Sequence, residues 1–248
     1  MKTFAVSDLH GCYNLYEQIC NFIAPEDKVI FLGDASDRGP EGWKTLKAIY
    51  ANPQWVYLRG NHEDMLAKAM RYLINETNGY AGMYDYWDNP YTLCLSNGGE
   101  ETINGWMEDG CDVNWIGRLN NLDLSYVHTN PNGQEIVLTH AGFTDKGKIP
   151  IWPEDLMWDR THFYDSEEKF TTDRIIVHGH TPIPHLYDRL KRYGQEVEET
   201  YPLWYCGNHK VCLDCGSFAT KKTVLLDLDT FKSYEFAMEE NDEKTIDD

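Results

Sequence analysis

Five short apolar runs along this chain each stop at a cluster of Asp, His or Asn set beside glycine. The clusters are Asp8-Leu9-His10-Gly11, Gly33-Asp34-Ala35-Ser36-Asp37-Arg38-Gly39, Gly60-Asn61-His62-Glu63, Thr139-His140-Ala141-Gly142 and His178-Gly179-His180-Thr181-Pro182. Carboxylate and imidazole ligands without thiolates suit manganese, iron or zinc, not a structural zinc site. A carboxylate can bridge two ions, and Asp34 is the natural bridge. Two ions roughly 3.5–4 Å apart polarise a phosphoryl group and acidify a shared water, whose hydroxide can attack phosphorus in line. Arg38 adds a planar fork that fits phosphate oxygens. Any one of these residues alone could merely cap a turn. Together, at the ends of successive apolar runs, they point to one metal-dependent phosphoryl-transfer site.

Clusters spread from residue 8 to residue 182 need a scaffold that gathers them. In α/β proteins the carboxyl ends of strands do this, because ligands bind there. Phe4 and Val6 mark a first strand ending at Ser7-Asp8. Leu15, Ile19, Phe22 and Ile23 recur at helical spacing. Lys28–Leu32 reads as a strand, Trp43, Leu46, Lys47 and Tyr50 as a helical face, and Trp55–Leu58 as a third strand. Glu63–Leu73 reads as a helix with Met65, Leu66, Ala69 and Met70 on one face. These β-α-β units imply a mostly parallel sheet. Residues 75–118, rich in Gly, Asn, Asp, Tyr and Trp, predict an insertion or lid with one or two helices. Ser125–Thr129 and Glu135–Thr139 flank Asn130–Gly133 as a hairpin, and Arg174–His178 is a further strand. Lys210–Asp214, Thr223–Leu228 and Phe231–Phe236 predict a closing antiparallel set. One domain is expected over residues 1–238, followed by an acidic, disordered tail at 239–248.

The 248 residues carry a net charge of −19, with 42% hydrophobic and 25% charged residues. That balance is globular. Seven acids and one lysine lie in residues 235–248. So acidic a surface argues against sequence-independent binding to nucleic acid or an anionic membrane. No stretch has the length and apolarity of a membrane span, and no secretion signal is visible. Seven cysteines, an odd number in a chain this long, predict reduced thiols and a cytoplasmic protein.

The blocks in this order resemble the calcineurin-like metallophosphoesterase superfamily. Gly33-Asp34-x-x-Asp37-Arg38-Gly39 and Gly60-Asn61-His62-Glu63 are similar to the PPP-type serine/threonine protein phosphatases. The short bacterial and phage forms look most alike, and the similarity covers about residues 3–230. The resemblance implies an α/β fold, a four-layer αββα sandwich with two mixed β-sheets. It implies two divalent metal ions, manganese foremost in vitro, with iron or zinc as alternatives. Asp8 and His10 would bind one ion, Asp34 would bridge both, and Asn61, His140 and His180 would complete the second site. His62, oriented by Asp37, would be the general acid. A carboxylate-held imidazolium is a suitable proton donor to an alkoxide near pH 7. Arg38 and Arg160, the latter in Met157-Trp158-Asp159-Arg160, would grip phosphate. One departure is visible: Ser7 stands where the family has glycine.

The expected activity is hydrolysis of a phosphomonoester by a metal-bridging hydroxide, with phosphoserine or phosphothreonine in protein, or a small phosphoester, as substrate. A symmetrical dinucleoside tetraphosphate hydrolase shares the site plan, and Arg189, Lys191 and Arg192 could serve its polyphosphate. A non-catalytic metal-binding or scaffold protein is the alternative of another class, and the intact set Asp37, Arg38 and His62 speaks against it. Oligomeric state is not legible in the sequence.

Other features have plainer readings. Cys206-x-x-His209-x-x-Cys212-x-x-Cys215 spaces like a zinc set, but alternation over Val211–Cys215 makes these core cysteines of a strand. Glu63 reads as a first-turn helix carboxylate. His162 reads as a surface histidine. His178 lies two residues before His180 and reads equally as a support for it or as a buried structural residue. Tyr80, Tyr84, Tyr86, Trp87 and Tyr91 form a local mini-core in preference to a ring-stacking lid.

Overall fold

Period-two alternation sorts the first strands into two layers. In the computed structural model, which describes residues 1–77, 89–144, 148–164 and 173–239, β1 is Thr3–Val6, β2 Lys28–Phe31 and β3 Trp55–Tyr57. Phe4, Val6, Val29, Phe31, Trp55 and Tyr57 pack on one face against helices, whereas Ala5 and Ile30 face the opposite way. The helices on the first face are α1 (Tyr13–Phe22), α2 (Gly42–Ala51) and α3 (Asn61–Thr77). Three more follow: α4 (Pro90–Ser96), α5 (Glu100–Glu108) and α6 (Asn114–Asn120).

A second sheet is built from β4 (Ser125–Thr129), β5 (Glu135–Thr139), β6 (Ile175–His178), β7 (Leu203–Tyr205) and β8 (Lys210–Cys212). Its inward residues Ile136, Leu138, Ile175, Val177 and Val211 meet Ala5, Ile30 and Leu32 of the first sheet in a shared core. α7 (Pro153–Trp158) covers its other face, where Leu156 packs on Val137 and Ile176. α8 (Ile183–Arg192) buries Ile183, Leu186 and Leu190 in the shared core. A short helix, α9 (Ser217–Thr220), leads into β9 (Lys222–Asp227) and β10 (Ser233–Ala237). The sheet orders are β10-β9-β1-β2-β3 and β4-β5-β6-β8-β7. Both sheets are mixed, as the resemblance implies: β1, β2 and β3 run parallel, as do β5, β6 and β8, and the flanking pairings are antiparallel.

Two expectations change. β8 does not join β9 and β10; it pairs parallel with β6 in the second sheet. Alternation identifies a strand but carries no information about its partner. The stretch after α3 holds three described helices, and they bury Cys94, Ile103, Trp106, Trp115 and Leu119 in the first core. The described part is therefore packed structure; Tyr91 of α4 stacks on Tyr72 of α3 with planes 4° apart. Tyr80, Tyr84, Tyr86, Trp87 and the tail from 240 lie outside the described residues. Among the described residues no helix is long and apolar enough to cross a membrane.

Candidate active site

Each parallel strand delivers its polar cluster at its carboxyl end, and the two sheets present those ends to one place. Asp8 and His10 follow β1, Asp34 follows β2, and Asn61 and His62 form the first turn of α3 behind β3. His140 follows β5, His180 follows β6 and Asp214 follows β8. The His180 N–H donates to the Asp8 carboxylate at 3.1 Å, tying the loop of one sheet to the loop of the other. The backbone is bent for this purpose: Asp8, His10, Asp34, Asp37, Arg38 and His180 all have φ between 42° and 68°. Left-handed conformations of non-glycine residues cost energy and concentrate at functional sites.

Asp34 is the centre. Its Oδ1 accepts the His62 N–H at 3.1 Å. Its Oδ2 lies 3.7 Å from His10 Nε2, 3.8 Å from His62 Nε2 and 3.4 Å from His140 Nε2. Asn61 Oδ1 is 2.8 Å from His140 Nε2 and 2.9 Å from His180 Nδ1. Two groups of buried side chains close enough to hold an ion share Asp34: His10 and His62 on one side, His140 and His180 on the other. These are the groups suited to a metal ion among the described residues, and the Cys206–Cys215 set is not one of them. Asp8 Oδ1 stands 3.9 Å from His10 Nε2, and its other oxygen takes a short hydrogen bond from Ser7 Oγ. The serine that replaces the family glycine thus holds a carboxylate of the site.

The donor chemistry fits divalent cations. His10 and His140 each turn Nδ1 to a backbone carbonyl, Ser36 at 2.9 Å and Leu32 at 2.8 Å. A carbonyl only accepts, so Nδ1 carries the proton and Nε2 is left as a lone pair unless the ring is charged. In His140 that Nε2 faces two oxygens, of Asn61 and Asp34. Two oxygens around one ring nitrogen call for positive charge there, either a proton on Nε2 or a divalent ion in its place. His180 Nε2, also buried, has no hydrogen-bond partner.

The site's own charges compete. Burial pushes the Asp8 carboxyl well above its usual range, and Asp214 adds to the push. Burial alone would also raise Asp34, but His140, His62 and His10 hold it well below. Burial depresses His10 and His180. Against the same effect, Asp34 lifts His140 to about 9. Asp214 is raised to about 6, chiefly by burial, and its Oδ2 has no hydrogen-bond partner. That residue ends a strand at the site, which is the signal that could have found it in the sequence.

His62 Nδ1 meets Asp37 Oδ2 at 2.7 Å. Burial lowers His62, but Asp34 and Asp37 outweigh it and keep the imidazole above its ordinary pKa. Arg38 turns inward, its guanidinium donating to His10 Nε2 at 2.9 Å and His62 Nε2 at 3.1 Å. Arg160 is exposed at the rim, where its Nε donates to Thr181 Oγ1 at 3.1 Å. The ring of Trp158 lies edge-on to His180, centroids 6.2 Å apart. All ten predicted site residues therefore gather at one end of the sandwich.

Residues outside the prediction hold the loops. Glu63 is fully buried and does more than complement a helix end: it accepts the N–H groups of Asp34, Ala35 and Gly60 at 2.8–2.9 Å and the Tyr57 hydroxyl at 2.7 Å. A Cβ on Gly60 would run into Asp34 Oδ1 and the Glu63 carboxylate, so only glycine lets these groups meet. From the inserted helices, Thr102 Oγ1 accepts the Asp37 N–H at 2.9 Å and the Gly98 carbonyl accepts the Arg38 N–H at 2.7 Å. His162, expected at the surface, is fully buried beneath Ala141.

Known proteins bear on this arrangement. A calcineurin-like phosphoesterase model matches residues 1–207. A symmetrical bis(5'-nucleosyl)-tetraphosphatase of Methylobacillus flagellatus is 25% identical over 79% of this chain and 87% of its own. Another so named, from Marinomonas sp., is 28% identical over 71% of this chain but 54% of its own length. The crystal structure of a candidate diadenosine tetraphosphatase superposes with a TM-score of 0.59 at 13% identity, covering 97% of this chain and 95% of that one. A serine/threonine phosphatase from Saccharomyces cerevisiae superposes at 0.52 with 15% identity, covering 98% and 82%. At such identities the superpositions speak for the fold, and the family match extends over most of the strand-end clusters. This chain belongs to the calcineurin-like phosphoesterases.

Proposed function

We propose that the protein hydrolyses phosphomonoesters at a two-ion centre bridged by Asp34, with phosphoserine or phosphothreonine in protein as the foremost substrate class. The observation that carries the reading is Asp34 Oδ2 within 3.8 Å of three imidazole nitrogens, with His62 clamped by Asp37 beside it. Asp8, His10 and Asp34 would hold one ion, and Asp34, Asn61, His140 and His180 the other. When bound, the two ions, manganese by preference, polarise the phosphoryl group and acidify a water. Arg38 swings from His10 and His62 onto the phosphate oxygens, and Arg160 closes on them from the rim. With Arg38 removed, His62 Nε2 carries a proton, and Asp37 on Nδ1 fixes its aim toward the leaving oxygen. We place the enzyme in the cytoplasm, in keeping with an odd number of cysteines in a chain too long to need a disulfide scaffold.

The clamped acid favours an ester with a poor leaving group. An alkoxide needs a proton as it departs; a nucleoside phosphate needs one far less. A second reading, symmetrical cleavage of a dinucleoside tetraphosphate, is favoured by relatives of that name aligned over most of the chain. The test compares manganese-supported turnover of a phosphothreonine peptide, para-nitrophenyl phosphate and diadenosine tetraphosphate in wild type and His62→Asn. Loss of general acid catalysis costs roughly 10²–10⁴-fold. We expect that loss on the peptide and a much smaller one on the aryl ester. Faster turnover of the tetraphosphate than of the peptide in wild type would establish the second reading.

A further inference from the structure

Behind the His140 and His180 loops lies a buried polar group that the proposed reaction does not use: Lys210, His162, Tyr205 and His178. Lys210, His162 and His178 have no exposed surface and Tyr205 almost none. Four polar side chains in a core are costly unless their hydrogen bonds are organised. Here they are. Lys210 Nζ donates to the His162 carbonyl at 2.9 Å and to its Nδ1 at 3.3 Å. An ammonium only donates, so His162 Nδ1 is the acceptor and Nε2 carries the proton. That proton goes to the Ala141 carbonyl at 2.7 Å. His178 Nδ1 donates to the Gly179 carbonyl at 3.0 Å, which leaves its Nε2 to accept the Tyr205 hydroxyl at 2.8 Å. Each tautomer is thereby set.

Two of the backbone carbonyls that the network grips adjoin an imidazole of the Asp34 centre: Ala141 follows His140 and Gly179 precedes His180. The two rings also pack on the loop itself. Their centroids are 5.0 Å apart, and a Cβ on Gly142 would lie 2.8 Å from His162 Cε1 and 3.1 Å from His178 Cγ. The Gly179 N–H donates to the His140 carbonyl at 2.8 Å, so the two loops are also joined to each other. Among the described residues, none of the hydrogen bonds given above for the network goes to Asp8, His10 or His62.

We propose that Lys210, His162, Tyr205 and His178 are positioning residues that set the metal affinity of the His140–His180 half of the centre and leave the His10 half alone. This rests on the two-ion reading above. Loss of such outer support typically weakens metal binding roughly 10–100-fold. The test is calorimetric titration of the full chain with manganese, far below its unfolding temperature. His180→Asn and His10→Asn assign the two binding events. Tyr205→Phe and His162→Phe are expected to weaken the His180 event roughly 10–100-fold while the His10 event holds. His162→Gln, which keeps an N–H directed at Ala141, is expected to restore most of the affinity. Tyr205→Phe removes one oxygen and keeps the test valid should His162→Phe fail to fold. Unchanged affinities, or equal loss at both events, overturn the proposal while two assigned events in wild type leave the two-ion reading standing. No manganese binding by wild type overturns both.

Discussion

Replacing Glu63 with glutamine tests whether the clamp under Asp34 is structural capital for the site. The carboxylate takes two donors on each oxygen: Asp34 and Gly60 N–H on Oε2, Ala35 N–H and the Tyr57 hydroxyl on Oε1. Glutamine offers one oxygen and one NH₂. Its least damaging placement puts the oxygen toward Asp34 and Gly60 and the NH₂ toward Tyr57, whose hydroxyl can turn to accept. The Ala35 N–H then faces another donor. A buried donor left unpaired costs about 1–3 kcal/mol, and two bonds to a charged acceptor become neutral ones at about 1 kcal/mol each. The relief of a buried charge offsets part of this, because burial and Asp34 hold the Glu63 carboxyl above its ordinary range. A net loss of about 2–3 kcal/mol follows. In a chain of this size that lowers the melting temperature by about 4–12 °C. Thermal unfolding by circular dichroism, with and without manganese, reads it directly. The deficit should persist in both conditions, since the clamp acts on the backbone of the loop. A Glu63→Gln protein that melts within 1 °C of wild type would refute the assignment of a clamp.

Asp37→Asn removes a charge that, with Asp34, keeps His62 protonated against the effect of burial. Because the raised pKa preserves the imidazolium to higher pH, acid catalysis fades as pH climbs through it; the alkaline limb of the kcat profile should move to lower pH in the variant. An unmoved limb would detach Asp37 from the acid. Thr102→Val strips the acceptor from the buried Asp37 N–H, at a cost of about 1–3 kcal/mol, and should lower kcat more than it raises KM. Steady-state kinetics with a phosphothreonine peptide decides it, and a change confined to KM would contradict the role of the inserted helices.

The strand-end clusters made the site legible because each ligand is next in sequence to the strand that carries it. That β1, β2 and β3 run parallel followed from their alternation with helices; their order did not. What stayed hidden depends on distance along the chain. Asp37 and Thr102 are 65 residues apart, and nothing local in Glu100–Glu108 announces that one hydroxyl will support a loop of the site. His162 looks like a surface residue in Thr161–Tyr164 because burial comes from Lys210 and Tyr205, some forty residues later. Glu63 was visible only as a carboxylate in a first helical turn; that Asp34, Ala35 and Gly60 would converge on it requires β2 and β3 side by side. The sequence predicts one or two helices in the insertion, but α4, α5 and α6 could not be counted or placed, because seven to nine residues carry too little periodicity to stand out from a Gly- and Asn-rich stretch.

On the proposed reading Asp34 would bridge two divalent ions. A crystal soaked in manganese, with anomalous scattering recorded, tests it most directly. Two peaks are expected on opposite sides of the Asp34 carboxylate, one shared with Asp8 and His10 and one with Asn61, His140 and His180. A single peak, or peaks that do not flank Asp34, would contradict it.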